Sequence, residues 1–187
     1  RVTHDAGGCV TRSSLMSCTA GMCACTRVVC AGARGGRINR TSSRPKGLYW
    51  SGNKWPERGD VGAFWPGGTE PFRSARARGY SLPGVYNKTD GTGYGLMLKR
   101  LMGLPGDIVS ITDDGVIVNG SLLPNTVPLS HDNVGDPFPM MRITEYRLAE
   151  HEALFVSDYL PRSYDARYFG VQQMRQIVEV VVPVYLW

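Results

Sequence analysis

The chain has 187 residues, 42% hydrophobic and 20% charged, enough for one domain with a real core and a further appendage. Its apolar fraction is ordinary and its 23 Gly follow no three-residue period, which excludes a disordered chain and a collagen. The net charge of +5 lies in residues 1–40, where six Arg face Asp5 alone, while the other 15 basic and 15 acidic residues cancel; a neutral domain has no field for collecting phosphates, so nucleic acid is not an expected partner.

Residues 1–37 read as a basic, cysteine-containing leader and residues 38–187 as the main domain. Cys9, Cys18, Cys23, Cys25 and Cys30 are all in the leader; an odd count with one C-x-C pair and no spaced His fits no zinc pattern, so no metal and no cofactor are expected. The cysteine-free domain has no disulfides to stabilise it. From Leu15 to Ala33 thirteen of nineteen residues are apolar, interrupted by Arg27. A spanning helix needs about 20 predominantly apolar residues, and a central Arg costs roughly 2.5–3.5 kcal/mol on insertion. Three readings stay open for 15–33: a marginal membrane anchor, a signal cleaved near Ala31-Gly32-Ala33, or neither.

The domain itself reads as short strands between turns. Asp60–Trp65 is a strand ending at Pro66-Gly67-Gly68, and Gly79–Gly95, without periodicity, is a long loop. Tyr94–Met102 is a strand stopped by Gly103-Leu104-Pro105-Gly106-Asp107, whose Pro-Gly pair suits a type II turn. Ile108–Thr112 and Gly115–Val118 flank Asp113-Asp114 as a hairpin, and Asn119-Gly120 offers a second tight turn. Glu152–Ser157 and Ile177–Leu186 are further strands, the last with Pro183 at an edge or bulge. Only Met140–Ala149 carries a helical pattern. The sum is a mainly β domain of folded sheets.

Three stretches carry chemistry: Asn39-Arg40-Thr41-Ser42-Ser43-Arg44-Pro45-Lys46-Gly47-Leu48-Tyr49, Leu96 to Asp107, and Ser157 to Gly170. Together with Arg58-Gly59-Asp60 they resemble the type I signal peptidase family of Ser/Lys proteases, over roughly residues 38–187, and within it the conjugal-transfer branch of TraF-like pilin peptidases. The family's K-R-x-x-G-x-P-G-D box is matched by Lys99, Arg100, Gly103, Pro105, Gly106 and Asp107, and its S-x-D-x-R-x-x-G box by Ser163, Asp165, Arg167 and Gly170. Ser43-Arg44-Pro45-Lys46-Gly47-Leu48-Tyr49 follows the S-x-P-x-G-L-Y form of the conjugal branch, in place of the Ser-Met of the general secretory enzymes. Ser157-Asp158-Tyr159 likewise replaces their usual Gly-Asp-Asn.

The resemblance implies coiled antiparallel sheets of the signal peptidase type, a Ser43 nucleophile and a Lys99 base. It implies that the Ser43 N–H contributes to an oxyanion hole with the Thr41 hydroxyl as second donor, that Ser163 holds the Lys99 amine, and that Asp165 and Arg167 pair to fix their loop. It also implies a membrane-associated endopeptidase at the bacterial inner membrane or periplasm, its catalytic domain on the periplasmic side. The substrate would be a secreted precursor, a conjugative pilin, with cyclisation as an alternative to hydrolysis. General signal peptidase activity and a non-catalytic pilin-binding scaffold are the rival readings. Self-cleaving stress-response repressors share the dyad, but their helix-turn-helix domain has no counterpart in residues 1–40.

The residues themselves set conditions for this chemistry. A serine hydroxyl needs a base, and His4, His131 and His151 sit in no triad-like setting. A lysine serves only when neutral; bringing it from about 10.4 to about 8 costs roughly 3 kcal/mol, which apolar burial can impose. In an extended strand Met97, Lys99 and Leu101 share one face and Arg100 points to the other. Asp113-Asp114 and Asp132 to Asp136 lack calcium-loop spacing and read as turn residues.

Overall fold

The computed structural model describes residues 35–80 and 95–187. Its strands are β1 (Gly36–Asn39), β2 (Gly47–Gly52), β3 (Val61–Phe64), β4 (Met97–Gly103), β5 (Ile108–Thr112), β6 (Gly115–Val118), β7 (Ser121–Leu122), β8 (Ile143–Arg147), β9 (Glu152–Val156), β10 (Gln172–Gln173) and β11 (Ile177–Leu186). Two short α-helices, α1 (Phe72–Ala77) and α2 (Ala166–Phe169), and a 3-10 turn at Met174–Gln176 accompany them among the described residues. Seven strands form one sheet in the order β1-β2-β11-β3-β4-β9-β10, and four form a second in the order β7-β6-β5-β8. Every pairing is antiparallel, and the larger sheet curls into a half-barrel. The mainly β character expected from the turn spacing and the coiled antiparallel sheets implied by the resemblance are both observed.

Apolar alternation gives each sheet its buried face. Leu101 on β4, Val109 and Ile111 on β5, and Leu154 to Val156 on β9 are buried in one core that joins the two sheets. Phe64 and Phe155 stack within it, their ring centroids 4.3 Å apart and their planes 15° from parallel. A smaller cluster of Tyr49, Val61, Ala63 and Val181 packs with Leu96 and Leu98. The turn after β4 is tight, with Gly106 at φ 86° and Asp107 N–H donating to Leu104 O at 3.0 Å. Pro183 falls where β11 has left β3 and pairs with β2 alone, beside a register shift; its missing N–H costs no ladder bond there.

Two expectations need correction. Met140–Ala149 is not a helix: Ile143–Arg147 is strand β8, paired with β5, and all its residues but Ile143 are exposed. A 3.6-residue pattern of a few apolar residues is weak evidence when the segment's backbone hydrogen bonds are taken by a neighbouring strand. Unforeseen strands β1 and β2 bracket the serine-bearing loop, so the sheet begins at Gly36. The leader's apolar segment and most of the Gly79–Gly95 loop lie outside the described residues. Among the described residues no helix is long and apolar enough to cross a membrane.

Candidate active site

Lys99 is on β4 between buried Met97 and Leu101, opposite Gly62 of β3, and is itself 4% exposed. Burial lowers its pKa to about 8 because desolvation penalises the ammonium; Asp165 opposes this shift, while Arg167 and Arg44 add to it. Its Nζ donates to Ser163 Oγ at 3.0 Å. Arg100 points the other way and bonds Asp158.

Ser43 stands in the loop between β1 and β2, half-buried, with its Oγ 3.3 Å from Thr41 Oγ1. Asn39, at the end of β1 and 4% exposed, holds this loop from within. Its Nδ2 donates to the carbonyls of Thr41, Arg44 and Pro45 at 3.0, 3.1 and 3.0 Å. Its Oδ1 accepts from Thr41 N at 3.1 Å and Thr41 Oγ1 at 2.8 Å. The Tyr49 hydroxyl adds a bond to Pro45 O at 2.8 Å. Sequence reasoning gave Asn39 no role, although a short amide two residues before a hydroxyl is a recognisable loop-organising signal.

The third stretch braces both of the others. Ser157 Oγ donates to Ser43 O at 2.9 Å, and Asp158 receives Arg44 at 3.4 Å as well as Arg100. Arg167 and Asp165 are fully buried. All five guanidinium N–H groups have acceptors: Asp165 takes two at 2.8 Å each, and the carbonyls of Val127, Pro161 and Ser163 take the rest. The Asp165 carboxylate also accepts from Ser157 N at 2.8 Å and from Arg167 N at 3.1 Å, capping α2. A buried pair satisfied to this degree holds one loop geometry, whereas a half-satisfied one would be costly. The Arg58-Gly59-Asp60 box meets the β4 turn directly, with Arg58 Nη2 2.7 Å from Asp107 Oδ1.

Thr41, Ser43, Lys99 and Ser163 all line one cleft of about 950 Å³, which Tyr80, Leu129, Phe138 and Tyr164 line as well. His131 also lines it, exposed, with its ring on Ser130 Oγ at 2.9 Å. Asp132 accepts from Val134 N and Asp136 N at 2.9 Å each, as a turn residue does. Asp113 pairs with Arg142 at 2.6 Å. Chemically, the cleft offers a hydroxyl, an amine that is partly neutral near pH 8, and a serine hydroxyl that accepts from the amine.

The Ser43 loop, the β4 lysine and the Ser163 stretch thus meet at one cleft of a β domain. The family model described as signal peptidase, peptidase S26, matches residues 38–187, and the chain belongs to that family. It is 40% identical over 155 residues to a plasmid transfer protein TraF of Escherichia coli, covering 83% of this chain and 85% of that protein. A second E. coli plasmid transfer protein TraF is 40% identical over 153 residues, 82% of this chain and 84% of that one. The conjugal transfer protein TraF of Agrobacterium tumefaciens (strain 15955) is 29% identical over 178 residues, 93% and 96% of the two chains. The crystal structure of a signal peptidase I from Enterococcus faecalis V583 is 23% identical with a TM-score of 0.37, covering 69% of this chain and 98% of that one.

Proposed function

We propose that this protein is a membrane-associated serine endopeptidase that uses Ser43 and Lys99 to process a secreted precursor, a conjugative pilin. The observation that carries this reading is Lys99: an amine buried on an apolar strand face, lowered to about 8, in the same cleft as the Ser43 hydroxyl. A base whose pKa lies near the working pH is the requirement for general-base catalysis. Ser43 Oγ attacks the scissile carbonyl as its proton passes to Lys99 Nζ; that proton then goes to the leaving amine, and an acyl-Ser43 ester remains. Water resolves the ester by hydrolysis, and the precursor's own amino terminus resolves it by cyclisation. The Ser43 N–H is the oxyanion donor in this scheme, while the Thr41 hydroxyl gives its proton to Asn39 Oδ1. Ser163 orients the amine, and the Asp165–Arg167 pair holds Ser163.

The pilin substrate is supported by the relatives, which are named for plasmid and conjugal transfer. The protein then works at the inner membrane, its catalytic domain on the periplasmic side, where pilin precursors emerge. The test is incubation of membranes containing the full chain with a conjugative pilin precursor, read by intact mass. Hydrolysis gives the cleaved mass, and cyclisation gives that mass less one water. An unchanged precursor would instead mark a pilin-binding scaffold. Ser43→Ala and Lys99→Ala are each expected to leave the precursor uncut while accumulating normally. Cleavage by Ser43→Ala, with loss in Ser42→Ala, would show the nucleophile to be the neighbouring serine.

A further inference from the structure

We propose that Asn39 is a positioning residue for Ser43, acting through the hydroxyl of Thr41; this rests on Ser43 being the nucleophile. The orientation of the Asn39 amide follows from its surroundings. Three carbonyl oxygens, of Thr41, Arg44 and Pro45, surround one end, and only the NH2 group can serve them. The other end faces the Thr41 N–H, which requires the oxygen. Asn39 Oδ1 is therefore an acceptor, and the 2.8 Å contact from Thr41 Oγ1 consumes the single proton of that hydroxyl. At the 3.3 Å contact between the two hydroxyls, Thr41 has only lone pairs left to offer, so Ser43 is the donor.

The direction of this chain matters for reactivity. While Asn39 holds the Thr41 proton, the Ser43 lone pairs stay unengaged by Thr41 and available for attack on a carbonyl. The Ser43 proton rests on Thr41 until substrate binding turns it to Lys99, which meanwhile rests on Ser163 at 3.0 Å. Without the Asn39 oxygen, the Thr41 hydroxyl is free to rotate and donate to Ser43 Oγ, tying up the pair of electrons that must form the new bond. A brace that only held the loop would have no such dependence on the residue at position 41.

A double-mutant cycle read in kcat separates the two roles, with the full chain and a conjugative pilin precursor as substrate. Asn39→Ala is expected to lower kcat by about tenfold or more, with KM changed by less than about threefold. In a Thr41→Val background, where no hydroxyl remains to turn, Asn39→Ala is expected to lower kcat by less than about threefold. In a Thr41→Ser background, which keeps the hydroxyl, Asn39→Ala is expected to cost about tenfold again. Equal losses from Asn39→Ala in both backgrounds would overturn the proposal and leave Asn39 a loop brace. Ser43→Ala is run alongside: cleavage by that variant removes the nucleophile and this inference together, whereas a dead Ser43→Ala with equal Asn39→Ala losses removes the inference alone. If Asn39→Ala does not fold, the crystal structure of Thr41→Val carries the test, since it keeps every Asn39 bond to the carbonyls. There Ser43 Oγ is expected to leave its contact with position 41; an unmoved Oγ against the valine methyl would overturn the proposal.

Discussion

Lys99 occupies a strand position whose neighbours on the same face are buried, so its amine has lost water without gaining a full carboxylate partner. The lowered pKa of about 8 against an ordinary 10.5 has a thermodynamic sign. Between these values the unfolded chain binds the proton and the folded chain does not, so stability rises with pH across that window. Below about pH 8 the full cost is present, roughly 3 kcal/mol at 1.36 kcal/mol per unit. Lys99→Met keeps the stem and removes the charge. It is expected to be inactive yet more stable than the parent at pH 7, with the gain shrinking toward pH 10, measured by thermal melts across that range. Single-turnover cleavage by the parent should rise with pH through about 8; a flat profile from pH 6 to 9 would remove Lys99 from the mechanism. Ser163→Ala should reduce the rate without abolishing it, because the nucleophile and base both remain. Arg167→Ala should fold poorly, costing about 3–5 kcal/mol by leaving the Asp165 charge buried and unpaired.

The motif boxes are places where one element grips another. Asp158 receives Arg44 from the serine loop and Arg100 from β4, each the residue immediately after a proposed member of the dyad. Asp158→Asn should lose about 1–2 kcal/mol, because Arg100 keeps partial solvent exposure, and should lower kcat more than it raises KM. At the other end of β4, Asp107 accepts from Arg58, Asn119 and the Leu104 N–H. Burial alone would raise its pKa, but these donors outweigh burial and hold it below the ordinary 3.8. That stabilisation is present above the ordinary value and is lost as pH falls through the lowered one. Asp107→Asn should therefore melt at a lower temperature than the parent at pH 6, with the difference narrowing as pH falls below the ordinary 3.8, followed by thermal denaturation against pH. The turn between β4 and β5 was legible from Pro105-Gly106-Asp107 alone because its signals are local. β8 was not, because its backbone partner is β5, some thirty residues away in sequence.

Across the whole molecule, Gly103 marks where the two sheets share a core. A Cβ there would stand 2.8 Å from Leu148 Cδ1 and 2.8 Å from Leu154 Cβ, and 3.4 Å from Val109 Cγ1. Glycine in this box therefore serves close approach of β4 to the β5–β8 layer, since its φ is not in the left-handed region. Gly103→Ala should destabilise by about 1–3 kcal/mol through overpacking, read as a lower midpoint in urea with an unchanged slope. The proposed dyad lies on the larger sheet, so a partly folded Gly103→Ala that still cleaves would show the second layer to be dispensable for the chemistry.

The sequence by itself determined the strand-and-turn character, the Lys99 face of β4 and the three motif-bearing stretches. These depend on period-two alternation, on Pro and Gly dihedral limits, and on spacing within a few residues. Only the tertiary structure decided that Asn39 organises the serine loop, that Asp158 joins Arg44 to Arg100, and that Arg58 reaches Asp107. Each of these contacts closes through a rotamer choice or across up to 114 residues of chain, as from Arg44 to Asp158. Hydrophobic patterning brings sheets together without specifying which polar tips then meet. That choice falls to the pairing of buried donors and acceptors, complete at Arg167 and partial at Arg44 and Arg100, whose Nε atoms are buried without an acceptor.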